Sequence, residues 1–156
     1  MSEQNSTETV DIKEGLNTAN LIPLSDKVAI NPLVFLFDVP GLNVAMGLMA
    51  LRGNVGKYLN LSSLFVEVHG NDMTLLTESL DNDDYTKALR LAHAIKGSAG
   101  MLGIESLSAL AGNLEIKLQE SKESPLGSDD LRPEIDAINH ELMVLAALPL
   151  LAQTPP

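Results

Sequence analysis

The chain has 156 residues, enough for one domain with a real core plus tails. Its 21 acidic and 10 basic residues give a formal net charge of -11, which argues against binding a nucleic-acid backbone or an anionic membrane surface and favours a protein partner. Without cysteine it holds neither disulfides nor a thiolate metal site, which fits a reducing compartment, and with 3% aromatic residues and no Trp its core must be built from Leu, Ile, Val, Ala and Met.

Residues 1–14 are polar and acidic, with no basic segment followed by an apolar one, so no secretory signal is visible and a cytoplasmic location is expected. Residues 1–40 read as a flexible tail or linker, rich in Ser, Thr, Asn and Asp, with Pro23, Pro32 and Pro40 around the apolar run 33–37. That run is expected to be pinned by Phe35 or Phe37 on the domain surface, in preference to adding a strand to another protein. From Leu42 onward helical periods dominate: a short helix over about 43–51 ends before Gly53, and Asn54 caps the next. The stripe of that second helix is Tyr58, Leu61, Phe65 and Val68. Gly70 with Asn71 and Asp72 either kinks it or restarts it before Leu75, Leu76 and Leu80.

The acidic cluster 81–84 predicts a turn and then the N-terminal cap of a helix reaching Leu102. A further helix over about 104–122 carries Leu107, Leu110, Ala111, Leu114 and Leu118 at the spacing of a buried stripe, and residues 124–128 read as a loop. Pro133 suits the first turn of a last helix with Ile135, Ile138, Leu142 and Leu145, ending before Pro149 and a tail over 150–156. The apolar stretch 142–152 is interrupted by Pro149 and too short for a bilayer, which takes about 20 residues. Four apolar stripes with short connections predict an all-α fold over 41–149: an antiparallel up-and-down four-helix bundle with an additional short N-terminal helix. A closed bundle hides its stripes, so a monomer is expected.

One run stands out. On the wheel of 83–102, Ala88, Leu91, Ile95, Ala99 and Leu102 gather on one side and His93 falls roughly opposite, with Leu89, Lys96, Gly97 and Gly100 near it on its own face. Two glycines in a helix sacrifice about 2 kcal/mol relative to alanine. Either they let another helix pack tightly, or the helix ends at Gly97, or they keep the imidazole accessible to a bulky incoming group, with the Lys96 ammonium nearby to favour an anion. A phosphoryl group meets both requirements of the last reading.

The pattern His93-x-x-Lys96-Gly97-Ser98-Ala99-x-x-x-Gly103 resembles the signature of histidine-containing phosphotransfer (HPt) domains of phosphorelays. The likeness extends from about Gly41 to Leu118, with a Gly-Leu-Asn-Val-Ala-x-Gly-Leu lead at 41–48, Tyr58 and Phe65 on the preceding helix, and Leu114-Glu115 on the following one. The resemblance implies a four-helix bundle and a phosphorelay intermediate that accepts a phosphoryl group on His93 from one receiver-domain aspartate and passes it to another. Lys96 would then screen the phosphoryl charge, and Gly97 and Gly100 would leave room for the partner's active site. Leu89 and Tyr85 lie toward the His93 face as candidate docking residues, with Phe65 bordering the same site.

The implied partners are response-regulator receiver domains and a hybrid sensor histidine kinase. No cofactor is expected in this chain, since Mg²⁺ and its acidic ligands belong to the receiver. The sequence has no G-x-x-x-x-G-K-[ST] loop, so ATP is not an expected substrate and the protein is a reactant in a relay, not an enzyme. His69, read at a helix C-terminus, and His140, in a polar stretch, are expected on the surface, which leaves a three-histidine zinc site little support. The alternative in a different class is a helical interaction module that binds a receiver or kinase without being phosphorylated. A further variant resembles the substrate module of chemotaxis-type kinases. The residues before the bundle resemble a connector from a hybrid kinase, and the sequence leaves open whether the protein is free-standing.

Overall fold

A computed structural model describes residues 33–121, 123–124 and 126–148; expectations for 1–32 and 149–156 fall outside the described residues. Contacts divide the chain into two units, Met1–Leu36 and Phe37–Pro156. Among the described residues there are six helices: α1 (Val34–Phe37), α2 (Val44–Ala50), α3 (Val55–Asp81), α4 (Tyr85–Met101), α5 (Glu105–Glu120) and α6 (Arg132–Ala146). The apolar run expected to be linker therefore forms one helical turn. Phe35 and Phe37, expected to pin it, are 65% and 56% exposed, whereas Leu33 and Leu36 are buried.

The second unit is built on α3 to α6. Each packs on the next, and α6 returns to α3, closing the ring. The inward lines follow the helical period: Ala88, Ala92, Ile95 and Ala99 on α4; Leu107, Ala111, Leu114 and Leu118 on α5; Ile135, Ile138, Leu142 and Leu145 on α6. The three alanines of α4 let α5 approach closely, while each fully buried Leu or Ile contributes about 1.5–3 kcal/mol.

Capping sets where the helices begin. The side chains of Asn43, Asn54 and Asp84 accept the backbone N–H groups of Met46, Lys57 and Lys87, at 3.1, 2.9 and 3.1 Å. α3 runs unbroken through Gly70, which settles the choice between kink and restart. Its inward line also departs from the predicted stripe: after Phe65 it passes through His69, Met73, Leu76 and Leu80, leaving Val68 and Leu75 outside at 42% and 39% exposure. The 3.6-residue period places His69, not Val68, one turn after Phe65 on the inward side.

The chain before α2 lies against the turn between α4 and α5. The Asn43 N–H donates to the Gly103 carbonyl at 2.6 Å, Ser106 N–H donates to the Gly41 carbonyl at 3.1 Å, and Leu42 and Ile104 form an antiparallel bridge. This seam ends α4. Gly103, at φ +77°, occupies the left-handed position after the cap; its N–H donates to the Gly100 carbonyl, and the Ile104 N–H reaches back to Ala99 at 2.8 Å, a Schellman motif. A Cβ on Gly103 would lie 2.1 Å from the Asn43 carbonyl oxygen. The buried Tyr58 hydroxyl, donating to the Leu102 carbonyl at 3.1 Å, ties α3 to the same corner.

Candidate functional site

α4 carries His93 on its outward face, five residues past the buried Ala88 and two before the buried Ile95. The helix continues to Met101, so it does not end at Gly97. The His93 side chain is 73% exposed. The ring is accessible but not without a partner: Nδ1 lies 2.6 Å from Oε2 of Glu115, on α5. The same carboxylate accepts from Lys96 Nζ through Oε1 at 2.9 Å. Glu115 is 7% exposed, so it works from inside the α4–α5 interface while the ring it holds stays in solvent.

Those two hydrogen bonds, from Lys96 first and His93 second, hold the Glu115 carboxyl below its ordinary value of 4.5, against the opposing effect of desolvation. At neutral pH it is a carboxylate and can only accept. In the neutral ring Nδ1 then carries the proton, which leaves the lone pair on Nε2, an atom with no hydrogen-bond partner among the described residues.

Around the ring the two motif glycines differ. A Cβ on Gly97 would meet nothing within 4 Å, and one on Gly100 would sit 3.5 Å from Ser108 Oγ, an ordinary contact. Neither glycine is required by packing among the described residues. The Ser108 hydroxyl donates to the Lys96 carbonyl at 3.0 Å, a second tie from α5 to this turn of α4.

On the other flank of α4 an apolar groove runs between α3 and α4, lined by Leu61, Leu64, Phe65 and Val68 from α3 and by Ser98 and Met101 from α4. Leu64 and Met101 are 46% and 61% exposed. Phe65 lies at its floor, 5% exposed, and Leu89 and Tyr85 are half-buried nearer the start of α4. The Tyr85 hydroxyl donates to Asp83 at 3.3 Å.

His69 is the other correction. It is neither at a helix end nor on the surface: at 6% exposure it lies in mid-α3, its Nδ1 2.8 Å from Asp72 and its ring edge-on to Phe65 with centroids 4.5 Å apart. His140 is exposed on α6. Among the described residues no group of three or more His, Asp or Glu side chains is placed to hold a metal ion, and no helix is long and apolar enough to cross a membrane.

Sequence reasoning missed the functional placement of Glu115, reading it only within a resemblance. A signal existed: Glu115 falls four residues after Ala111 and three before Leu118, so a carboxylate sits on the buried line of α5.

Fold and site together define an all-α bundle presenting one exposed histidine held by a buried carboxylate. The family model of the Hpt domain matches residues 60–147, more than half of the chain, and the chain belongs to the Hpt domain family. Hpt domains are histidine phosphotransfer modules of two-component phosphorelays, acting with receiver and kinase partners and without kinase activity of their own. No curated protein and no solved structure matches the chain.

Proposed function

We propose that His93 is the phosphoacceptor and phosphodonor of this chain, taking a phosphoryl group from the aspartyl phosphate of one receiver domain and yielding it to the aspartate of another. The observation that carries this reading is the exposed ring fixed through Nδ1 by Glu115. Nε2 attacks phosphorus, the N–P bond forms as the acyl-phosphate P–O bond breaks, and the aspartate leaves as carboxylate. No proton has to move, because Nδ1 keeps its hydrogen, which it donates to Glu115, and the positive charge gained by the ring faces that carboxylate. The reverse step returns the phosphoryl group to an aspartate.

Lys96 screens the phosphoryl oxygens at the edge of the site, and Gly97 and Gly100 give the partner room to approach. Mg²⁺ is assigned to the receiver's own acidic residues, with no cofactor in this chain. The receiver docks along the α3–α4 groove, where Leu64, Val68 and Met101 offer exposed apolar surface and Phe65 forms the floor; Leu89 and Tyr85 mark its margin. A receiver and a hybrid sensor kinase are thus the proposed partners of a cytoplasmic monomer.

The test is transfer of labelled phosphate from phosphorylated receivers to this protein, with His93→Gln alongside. Acid-labile, base-stable label lost in His93→Gln supports the reading. No label across a panel of receivers overturns it in favour of a binding module that is never phosphorylated.

A further inference from the structure

Basic charge is distributed unevenly over this acidic chain. Helices α3, α5 and α6 each carry more carboxylates than cations, whereas α4 carries Lys87, Arg90 and Lys96 and no Asp or Glu at all. Lys96 already donates to Glu115. Arg90 is exposed and makes no hydrogen bond or ion pair with any described residue, and Lys87 is half-buried and likewise without an ion pair.

Arg90 precedes His93 by three residues and Gly97 by seven, so the three share the outward strip of α4. Beside Gly97 the strip is open, with nothing within 4 Å of a built Cβ. A guanidinium in that position, unengaged and one turn from the nucleophile, is suited to a bidentate carboxylate more than to a lone phosphoryl oxygen.

From this we infer that the outward strip of α4 docks a carboxylate-rich rim of the partner's phosphoryl site, with Arg90 as the principal contact and a determinant of partner choice. The inference rests on the phosphotransfer reading above. An aspartyl phosphate and its Mg²⁺ are held by oxygen ligands, so such a partner is acidic where it meets His93. Two net-negative proteins then associate through the one helix of this bundle that carries cations alone, and long-range attraction there speeds productive encounters. A nucleic acid would meet the same strip but be repelled by the acidic helices around it.

The experiment uses the full chain and a receiver domain charged with acetyl phosphate, chosen because it labels wild-type His93. Transfer is followed for wild type, Arg90→Lys, Arg90→Gln and Arg90→Glu at low and high NaCl, with circular dichroism confirming the fold. At low salt Arg90→Glu is expected to lower kcat/KM about three- to tenfold with the rate at saturating receiver unchanged. Arg90→Gln falls less, Arg90→Lys retains most of the rate, and the differences shrink once salt shortens the Debye length to a few ångströms. Wild-type rates and wild-type salt dependence in Arg90→Glu overturn the inference while leaving the phosphotransfer reading in place. A wild-type protein that no receiver labels overturns the phosphotransfer reading, and the inference with it.

Discussion

Glu115 accepts from both Lys96 and His93 and is itself almost fully buried, so its charge is spent on orienting one ring and one ammonium. Glu115→Gln keeps the shape but loses the charge, and a hydrogen bond to a charged group contributes about 1.5–3 kcal/mol. Acceptance of phosphate by His93 is expected to fall on the order of ten- to hundredfold, read as the initial rate of labelling. The acid side follows from the direction of the Glu115 shift. A carboxyl held below 4.5 in the folded protein adds stability that is fully present above its unfolded value and is lost as pH falls through the lower folded one. Wild type should therefore lose more stability than Glu115→Gln on acidification below about pH 4.5, measured by chemical denaturation at a series of pH values. His93 and Lys96 were legible from their spacing on one helix. Their links to Glu115 cross 22 and 19 residues of sequence and join two helices, and no local period encodes them. His69 was misread for a related reason: Gly70 beside it suggested a helix end, and the inward line from Phe65 to Met73 outweighed that one glycine.

At the level of the helix, α4 and the turn that ends it carry two glycines with opposite requirements. Gly97 has open space around it and Gly103 has none. Gly97→Ala should raise stability by about 1 kcal/mol through helix propensity alone, seen as a higher denaturation midpoint. The same variant should slow phosphate transfer if the open strip is where the partner's backbone approaches. Gly103→Ala must place a Cβ against the Asn43 carbonyl at a positive φ, and is expected to destabilise by about 2–4 kcal/mol, in the range of severe single substitutions. Helix starts were well encoded, because Asn43, Asn54 and Asp84 are side chains whose chemistry caps a backbone N–H. The face of α3 was less so. Over 27 residues, Ser62 and His69 interrupt the apolar line, and a stripe followed through Leu61 and Val68 drifts off the inward side.

Across the whole molecule, four amphipathic helices with short links left few alternatives to a bundle, and the all-α architecture could be read before any coordinates. Its core contains no Trp and few aromatics, so Ile, Leu and the alanines of α4 carry the packing. The net charge of -11 sets up self-repulsion in the compact state. Added NaCl, from about 10 mM to about 300 mM, is therefore expected to raise Tm by about 2–4 °C, the shift produced by roughly 1 kcal/mol in a chain of this size. The turn at residues 33–37 escaped the sequence reading, since a four-residue helix shows no full period. The seam between the lead segment and the α4–α5 turn escaped it too, as a pairing of backbone groups leaves no side-chain pattern.

That seam has a consequence for the order in which the protein assembles. The helix pairs α3–α4, α4–α5 and α5–α6 join neighbours along the chain, and such contacts form early. Asn43 reaches across 62 residues to Glu105, and its N–H finds the Gly103 carbonyl in the same step, so this closure waits until both helices of the turn exist. The lead segment is thereby the last piece to arrive and the first to leave, and the amide of Asn43 should exchange with solvent sooner than the amides of Ile95 or Leu114, timing the undocking of the cap apart from the melting of the bundle.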